Sequence, residues 1–236
     1  MNSDYNILAF DTSLSALSCA VRSSELNRCC KIVESMDKGQ SEALIPEINK
    51  LLDFAGLSYK ELDLIVTTRG PGAFAGLRIG LASAKAFSIG LACPVIGLLT
   101  LDVLAEQLCR VFDNPEKADV WIIQETKRKD FYVAGYNSRI NRICEPVCMN
   151  ALEIENALGR RVLLGGDGLE RLGREIDLSA HRLCYGTEFI DPSVMMDMGV
   201  ECVQKNAIQE MNLSPVYLKE PGVSMPKPVS HLASKR

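Results

Sequence analysis

Apolar residues in the first third of the chain come in short runs that change period at Ser41. "NILAFDTS" is an apolar run closed by Asp11-Thr12-Ser13, and "ALSCAVRS" alternates weakly after a tight connection. The pair predicts a hairpin, with "LNRCCKIVES" as a third strand. Beyond Ser41, Leu44, Ile45, Ile48, Leu51, Leu52 and Ala55 recur at spacings of three and four. That spacing predicts an amphipathic helix over 41–55, stopped by Gly56, with Pro46 early enough to be tolerated. "LDLIVTTR" is continuously apolar before its polar end, as in a buried parallel strand. A helix follows from Ala75 to Ile89, ended by Gly90. "CPVIGLL" then reads as a strand and "TLDVLAEQLCRVF" as a helix opened by a Thr100 or Asp102 cap.

Asp113-Asn114-Pro115 marks a turn, after which strand patterns resume as "DVWIIQE", "DFYVAGY" and "ICEPVCM". "ALEIENALG" is helical, "RVLLGG" a strand, and "LERLGREI" and "PSVMMDMGVECVQKNAI" helical, before "SPVYLKE" and a Pro-rich polar tail. Each half thus begins with antiparallel strands and then alternates helix and strand. This predicts an α/β protein of two related lobes, 1–99 and 100–236. No internal repeat is strong enough to prove duplication.

Composition narrows the function. With 236 residues, 47% hydrophobic and 24% charged, the chain has enough apolar matter for a real core. A net charge of −4 argues against autonomous nucleic-acid binding, so another chain would have to supply any such binding. The nine cysteines show no paired Cys-x-x-Cys spacing, and His181 and His231 are the only imidazoles. No metal site is expected, and the thiols read as reduced, small apolar residues. "MNSDYNILAF" lacks the pattern of a secretory signal, and the uncharged run Ala86–Leu101 is short for a membrane span. A cytoplasmic location without membrane contact is the expectation.

The stretch "TTRGPGAFAGLRIGLASAKAF" carries the candidate chemistry. It lacks the Gly-x-x-x-x-Gly-Lys-Ser/Thr spacing of a phosphate-binding loop, and Ala75 takes the third position of a Gly-x-Gly-x-x-Gly fingerprint. Gly72, Gly76 and Gly80, followed by Ser83 or Ala84, instead form a stripe of small residues along one helix face. Such a stripe admits a close neighbour, and glycine inside a helix costs about 1 kcal/mol relative to alanine. The neighbour is either helix 41–55 of the same lobe or another protein.

"ILAFDTSLSALSCAV", "QSEALIPEINKLLDFAGLSYKELDLIVTTRGPGAFAGLRIGLASAKAFSIGLACPVIGLLTLDVLAE" and, more loosely, "ETKRKDFYVAGY", "LLGGDG" and "SPVYLKE" together resemble the bacterial TsaB family, also called YeaZ. The resemblance implies an actin-like ATPase (ASKHA) fold of two ribonuclease-H-like lobes. It implies a role in forming threonylcarbamoyladenosine beside the anticodon of ANN-decoding tRNAs. In that system the paralogue TsaD is the transferase and binds metal through two histidines on the helix corresponding to 41–55, which TsaB-like chains lack. TsaB pairs with TsaD and works with the ATPase TsaE; tRNA is reached only through the complex. The chain departs from the family at Gln40-Ser41-Glu42, where His often precedes Ser-Glu. It departs again at Glu125–Tyr132, where Asp-Ala-Arg-x-x-Glu-Val-Tyr is usual.

Three candidate sites follow. Asp11, Thr12 and Ser13 close the first strand where the actin-like fold faces nucleotide phosphate. They would touch ATP or ADP, or Asp11 would only accept backbone N–H groups of its turn. Gly165-Gly166-Asp167-Gly168 would lie near a nucleotide or form a plain strand-to-helix turn. Helices 41–55 and 75–89 would form half of a four-helix bundle with the paralogue, or with a second copy in its absence. Gly72, Gly76, Gly80 and Ser83 would allow close approach there. Leu44, Ile45, Ile48 and Ile79 would supply apolar contact, with Glu42 and Arg78 at the rim. The competing readings are a small-molecule kinase of the same fold and a peptidase, for which no nucleophile constellation is present.

Overall fold

β1 (Ile7–Asp11) is buried along its whole length because it lies mid-sheet in the computed structural model. β2 (Ala16–Ser23) pairs antiparallel on one side and β4 (Leu64–Thr68) parallel on the other. The structure describes residues 5–26, 28–114, 117–126, 128–205 and 213–219. β3 (Arg28–Ser35) and β5 (Val95–Leu98) complete a five-stranded sheet in the order β3-β2-β1-β4-β5. The second sheet has the same plan. β6 (Val120–Glu125), β7 (Phe131–Tyr136) and β8 (Arg142–Met149) run antiparallel, and β9 (Leu163–Gly165) and β10 (Arg182–Leu183) are parallel, in the order β10-β9-β6-β7-β8. Two sheets of matching order are the two-lobed α/β arrangement that the alternation of elements predicts.

Helices cover three apolar layers. α1 (Gln40–Ala55) and α2 (Phe74–Leu91) lie on the outer face of the first sheet and enclose Leu8, Phe10, Ile65 and Val95. α3 (Thr100–Val111) and α6 (Pro192–Gln204) fill the space between the sheets, where Leu104, Leu108 and Met195 meet Ala9 and Val66 of one sheet and Ile122 and Leu163 of the other. α4 (Ala151–Ala157) and α5 (Leu169–Glu175) cover the outer face of the second sheet through Ile154 and Leu172. Asp197 of α6 binds Arg22 of β2 at 2.8 Å and Arg110 of α3 at 2.6 Å. The division at residue 99 therefore separates the two sheets, but α6 returns to pack on the first.

Local chemistry sets most element ends. Gly56, at φ 68°, closes α1 in the left-handed conformation glycine adopts freely. α2 runs past Gly90 to Leu91 and ends on Ala92, also left-handed. α3 differs from expectation at its start. Leu99 is the capping residue without a side-chain bond, so neither Thr100 nor Asp102 caps it. Thr100 is buried in the first turn. Asp102 accepts hydrogen bonds from Tyr136 Oη at 2.8 Å and from the Arg142 guanidinium, so tertiary partners take the side chain that a cap would use. Among the described residues α2 is the helix long and apolar enough to cross a membrane. In the fold it lies along β4 with its Gly76-Gly80-Ala84 face buried.

Candidate functional site

The two sheets are joined on one side by the buried layer and part on the other into a cleft of about 630 Å³. Its floor is the β1–β2 turn. Asp11, Thr12 and Ser13 are all buried there and bonded within the chain. Asp11 Oδ1 accepts from the Ser13 N–H at 3.1 Å, from Ser13 Oγ at 2.6 Å and from Thr68 Oγ1. Thr12 Oγ1 donates to the Gly76 carbonyl at 2.7 Å. Burial pushes the Asp11 carboxyl above its ordinary range, and the bonds from Ser13 and Thr68 partly offset this. Of the two readings of Asp11, this geometry is that of the turn acceptor. Ser13 lines the cleft, but its hydroxyl proton is committed to Asp11.

The glycine stripe packs on this same turn. A β-carbon on Gly76 would overlap the Thr12 carbonyl, one on Gly80 would lie 2.9 Å from Thr12 Oγ1, and one on Gly72 2.8 Å from Ser13 Cβ. The close neighbour is therefore the chain's own first turn, neither helix 41–55 nor another protein. Leu44 and Ile48 are likewise fully buried in the lobe, beneath α1. These four positions of the expected docking set, Leu44, Ile48, Gly76 and Gly80, face inward and have no surface to offer a partner. Ile79 and Ser83 are half-buried on the flank toward α1, while Glu42, Ile45 and Arg78 are exposed. Arg78 sits 3.8 Å over the ring of Phe74.

The outward face of α2 carries a second stripe that the glycines obscured. Ala75, Ala82, Ala86 and Ile89 are exposed, and their spacing puts them on one side of the helix, between Arg78 and Lys85 on one flank and Ile79 on the other. Ile89 is 79% exposed and Ile45, on the flank of α1 beside α2, is 41% exposed. These alanines recur at spacings of three, four and seven with Ile89, on a different face from the buried glycines.

In the second lobe, Gly165-Gly166-Asp167-Gly168 is the strand-to-helix turn after β9. Gly166 has φ 104° and no room for a β-carbon against Ile123, and the Gly168 N–H donates to the Ile123 carbonyl at 3.0 Å. Asp167 lines the cleft and accepts the Glu125 N–H at 2.7 Å; burial pushes its carboxyl up to about 6. Glu125 is held by Arg171 through two bonds of 2.6 and 2.9 Å, and Arg171 lies 3.6 Å over Phe131. Much of the departure from the family pattern at 125–132 is thus absorbed in local structure. The segment 213–219 closes one side of the cleft. The Val216 N–H donates to the Arg69 carbonyl at 2.7 Å, Tyr217 stands 5.1 Å from Phe74, and Lys219 pairs with Asp130. Among the described residues no three His, Cys, Asp or Glu side chains converge as a metal set.

Sequence and fold comparisons now bear on this geometry. Residues 33–181 match the family model of TsaD, tRNA N6-adenosine threonylcarbamoyltransferase. The chain is 32% identical over 178 residues to the tRNA threonylcarbamoyladenosine biosynthesis protein TsaB of Buchnera aphidicola subsp. Baizongia pistaciae, covering 72% of this chain and 78% of that protein. It belongs to the TsaB/YeaZ family. The TsaB of Haemophilus influenzae is 25% identical, with 90% of this chain and 93% of that protein aligned. YeaZ from Pseudomonas aeruginosa superposes with a TM-score of 0.76 at 21% identity, covering 91% of this chain and 100% of that one, so the fold is that of TsaB/YeaZ.

Proposed function

We propose that the chain supports formation of N6-threonylcarbamoyladenosine in tRNA as a non-catalytic subunit, in the cytoplasm, by docking on a TsaD-type transferase. The names of its TsaB relatives support the pathway. The observation that carries the docking reading is the exposed alanine stripe of α2, Ala75, Ala82 and Ala86, ending in Ile89 and bordered by Ile45 of α1. Small outward residues let a partner helix approach closely, and Ile45 and Ile89 give it apolar anchors. Glu42, Arg78 and Lys85 surround this face as a polar rim. A paralogue of the same fold would present a matching helix pair, so two pairs would close as a four-helix bundle, and a second copy would serve when the paralogue is absent. The acidic chain reaches tRNA through the complex, and a TsaE-type ATPase with its ATP or ADP acts on the assembled pair. The closed hydrogen-bonding of Asp11, Thr12 and Ser13 supports a role without nucleotide chemistry at that turn.

The test is Ala86→Glu, which puts a charge into the apolar stripe without touching the core. The variant should keep the wild-type circular dichroism spectrum and melting temperature. In a pull-down with the transferase paralogue it should lose about 2 kcal/mol of binding, roughly 30-fold, and modification of tRNA by the reconstituted components should fall with it. A folded Ala86→Glu chain with undiminished binding would place the interface elsewhere.

A further inference from the structure

The second lobe has a concave site of about 280 Å³ at the β10 edge of its sheet. It shares no residue with the cleft or with α2. Its walls come from the turn after α3, the start of β9 and the segment 179–182 that leads into β10. Arg161, His181 and Arg182 are the ionisable residues on these walls, and no carboxylate lines them. In a chain with a net charge of −4 this is a local excess of positive charge, and a concave wall concentrates its potential.

Arg182 determines what the site can hold. Its Nη1 donates to the Asp113 carbonyl at 2.7 Å. A carbonyl carries no net charge, so this bond orients the guanidinium without neutralising it, and most of its N–H donors stay unused. The base of the side chain is fixed as well, because the Arg182 N–H donates to the Val162 carbonyl at 3.0 Å within the strand pairing. The facing turn is braced by Asn114, whose side chain bonds both backbone groups of Ala118 at 2.9 Å. Arg161 adds a second guanidinium, which has a partner of its own. Burial holds the His181 imidazole below its usual value against the pull of Asp177, so at neutral pH it adds no charge. Asp177 lies just outside the lining, where it accepts from the Ser179 N–H at 2.9 Å and from Ser179 Oγ at 3.0 Å. It is the carboxylate that opposes an anion here.

We propose that this pocket binds a phosphate group, held by the fork of Arg182 with Arg161 as a second cation. Guanidinium N–H groups meet two oxygens of a phosphate at once, which a lysine ammonium does not. A volume of about 280 Å³ lies just below the range of whole-ligand sites, so it suits a phosphate with its nearest waters and not an entire nucleotide. The group comes from a small phosphomonoester or from an RNA backbone. The site is independent of the outward face of α2, so its failure and that of the docking reading are separate results.

The experiment is a 1H–15N NMR titration of the full chain at constant ionic strength, with inorganic phosphate and, separately, with a short RNA duplex lacking terminal phosphates. Amides at 161–163 and 179–182 should shift together and saturate with phosphate at about 10 mM or below. Saturation by phosphate alone identifies a free phosphomonoester as the source, and tighter binding of the duplex identifies RNA. Arg182→Gln should weaken binding about fivefold at an unchanged melting temperature. Asp177→Asn, which removes the opposing charge, should tighten it about twofold. Should Arg182→Gln fail to fold, the exposed Asp177→Asn keeps the test decisive. The proposal is overturned if neither probe shifts these amides, if the shifts scatter over the whole surface, or if the variants that fold bind as the wild type does.

Discussion

Gly76 shows how little freedom single positions have around the first turn. Its α-carbon faces the Thr12 carbonyl, a backbone group that cannot rotate away. Gly76→Ala should therefore cost about 3 kcal/mol or more, read as a lower urea midpoint at an unchanged slope. Asp11→Ala acts on the same turn by another route. It would strip an acceptor from the hydroxyls of Ser13 and Thr68, leaving buried donors at about 1–3 kcal/mol each. Asp167 gives the pH dependence. Its folded carboxyl titrates near 6, above the ordinary value of 3.8, first because of burial, with Glu125 and Glu188 adding repulsion. Between those values the folded chain holds more protons than the unfolded one, so this group lowers stability as pH rises through the window. Asp167→Asn should flatten the fall of melting temperature with pH between about 4 and 6 relative to wild type, and should melt higher at pH 7. An unchanged slope would mean that the carboxyl titrates normally.

α2 is an element with two small-residue faces, of which periodicity in the sequence marked the glycine one. Glycines four apart announced close packing, and close packing is there, against Thr12 and Ser13. What spacing alone could not settle was which face points inward, because alanine and glycine rows are both small. Most strands and the ends of α1 were legible because period, length and a terminal glycine agreed. The cap of α3 was misread because Asp102 has a tertiary claim on it from Tyr136 and Arg142, partners 34 and 40 residues away. The pocket at Arg182 was invisible for the same reason, since its walls come from three separate segments of the chain. The faces of α2 yield a paired prediction. Gly80→Leu, which meets Thr12, should unfold the chain or lower its melting temperature steeply, whereas Ala82→Leu should leave the melt within a few degrees, as surface changes do. Equal effects at the two positions would contradict the assigned orientation of the helix.

At the scale of the molecule, the segment 213–219 connects what the cleft separates. It bonds Arg69 and packs a tilted Tyr217 ring against Phe74 in the first lobe, and pairs with Asp130 in the second. Replacing Tyr217 and Lys219 together with alanine should raise amide exchange in the cleft-lining segments at 72–76 and 128–130, without reducing protection in β1 or β6. Loss of protection throughout would instead make the segment part of the global core.

The buried layer of α3 and α6 has a consequence for how the chain can be divided. Each sheet contributes one of its faces to this layer, so neither half owns a complete interior. A gene split between codons 99 and 100 would leave the first fragment with a bare apolar sheet face, because α6 goes with the second fragment, and would leave the second with the apolar side of α6 uncovered. Such fragments, made separately, should be lost to aggregation or proteolysis, yet recover a folded pair when made together. Apparent modularity in the order of elements is, in this chain, a record of pattern and not a guarantee of independence.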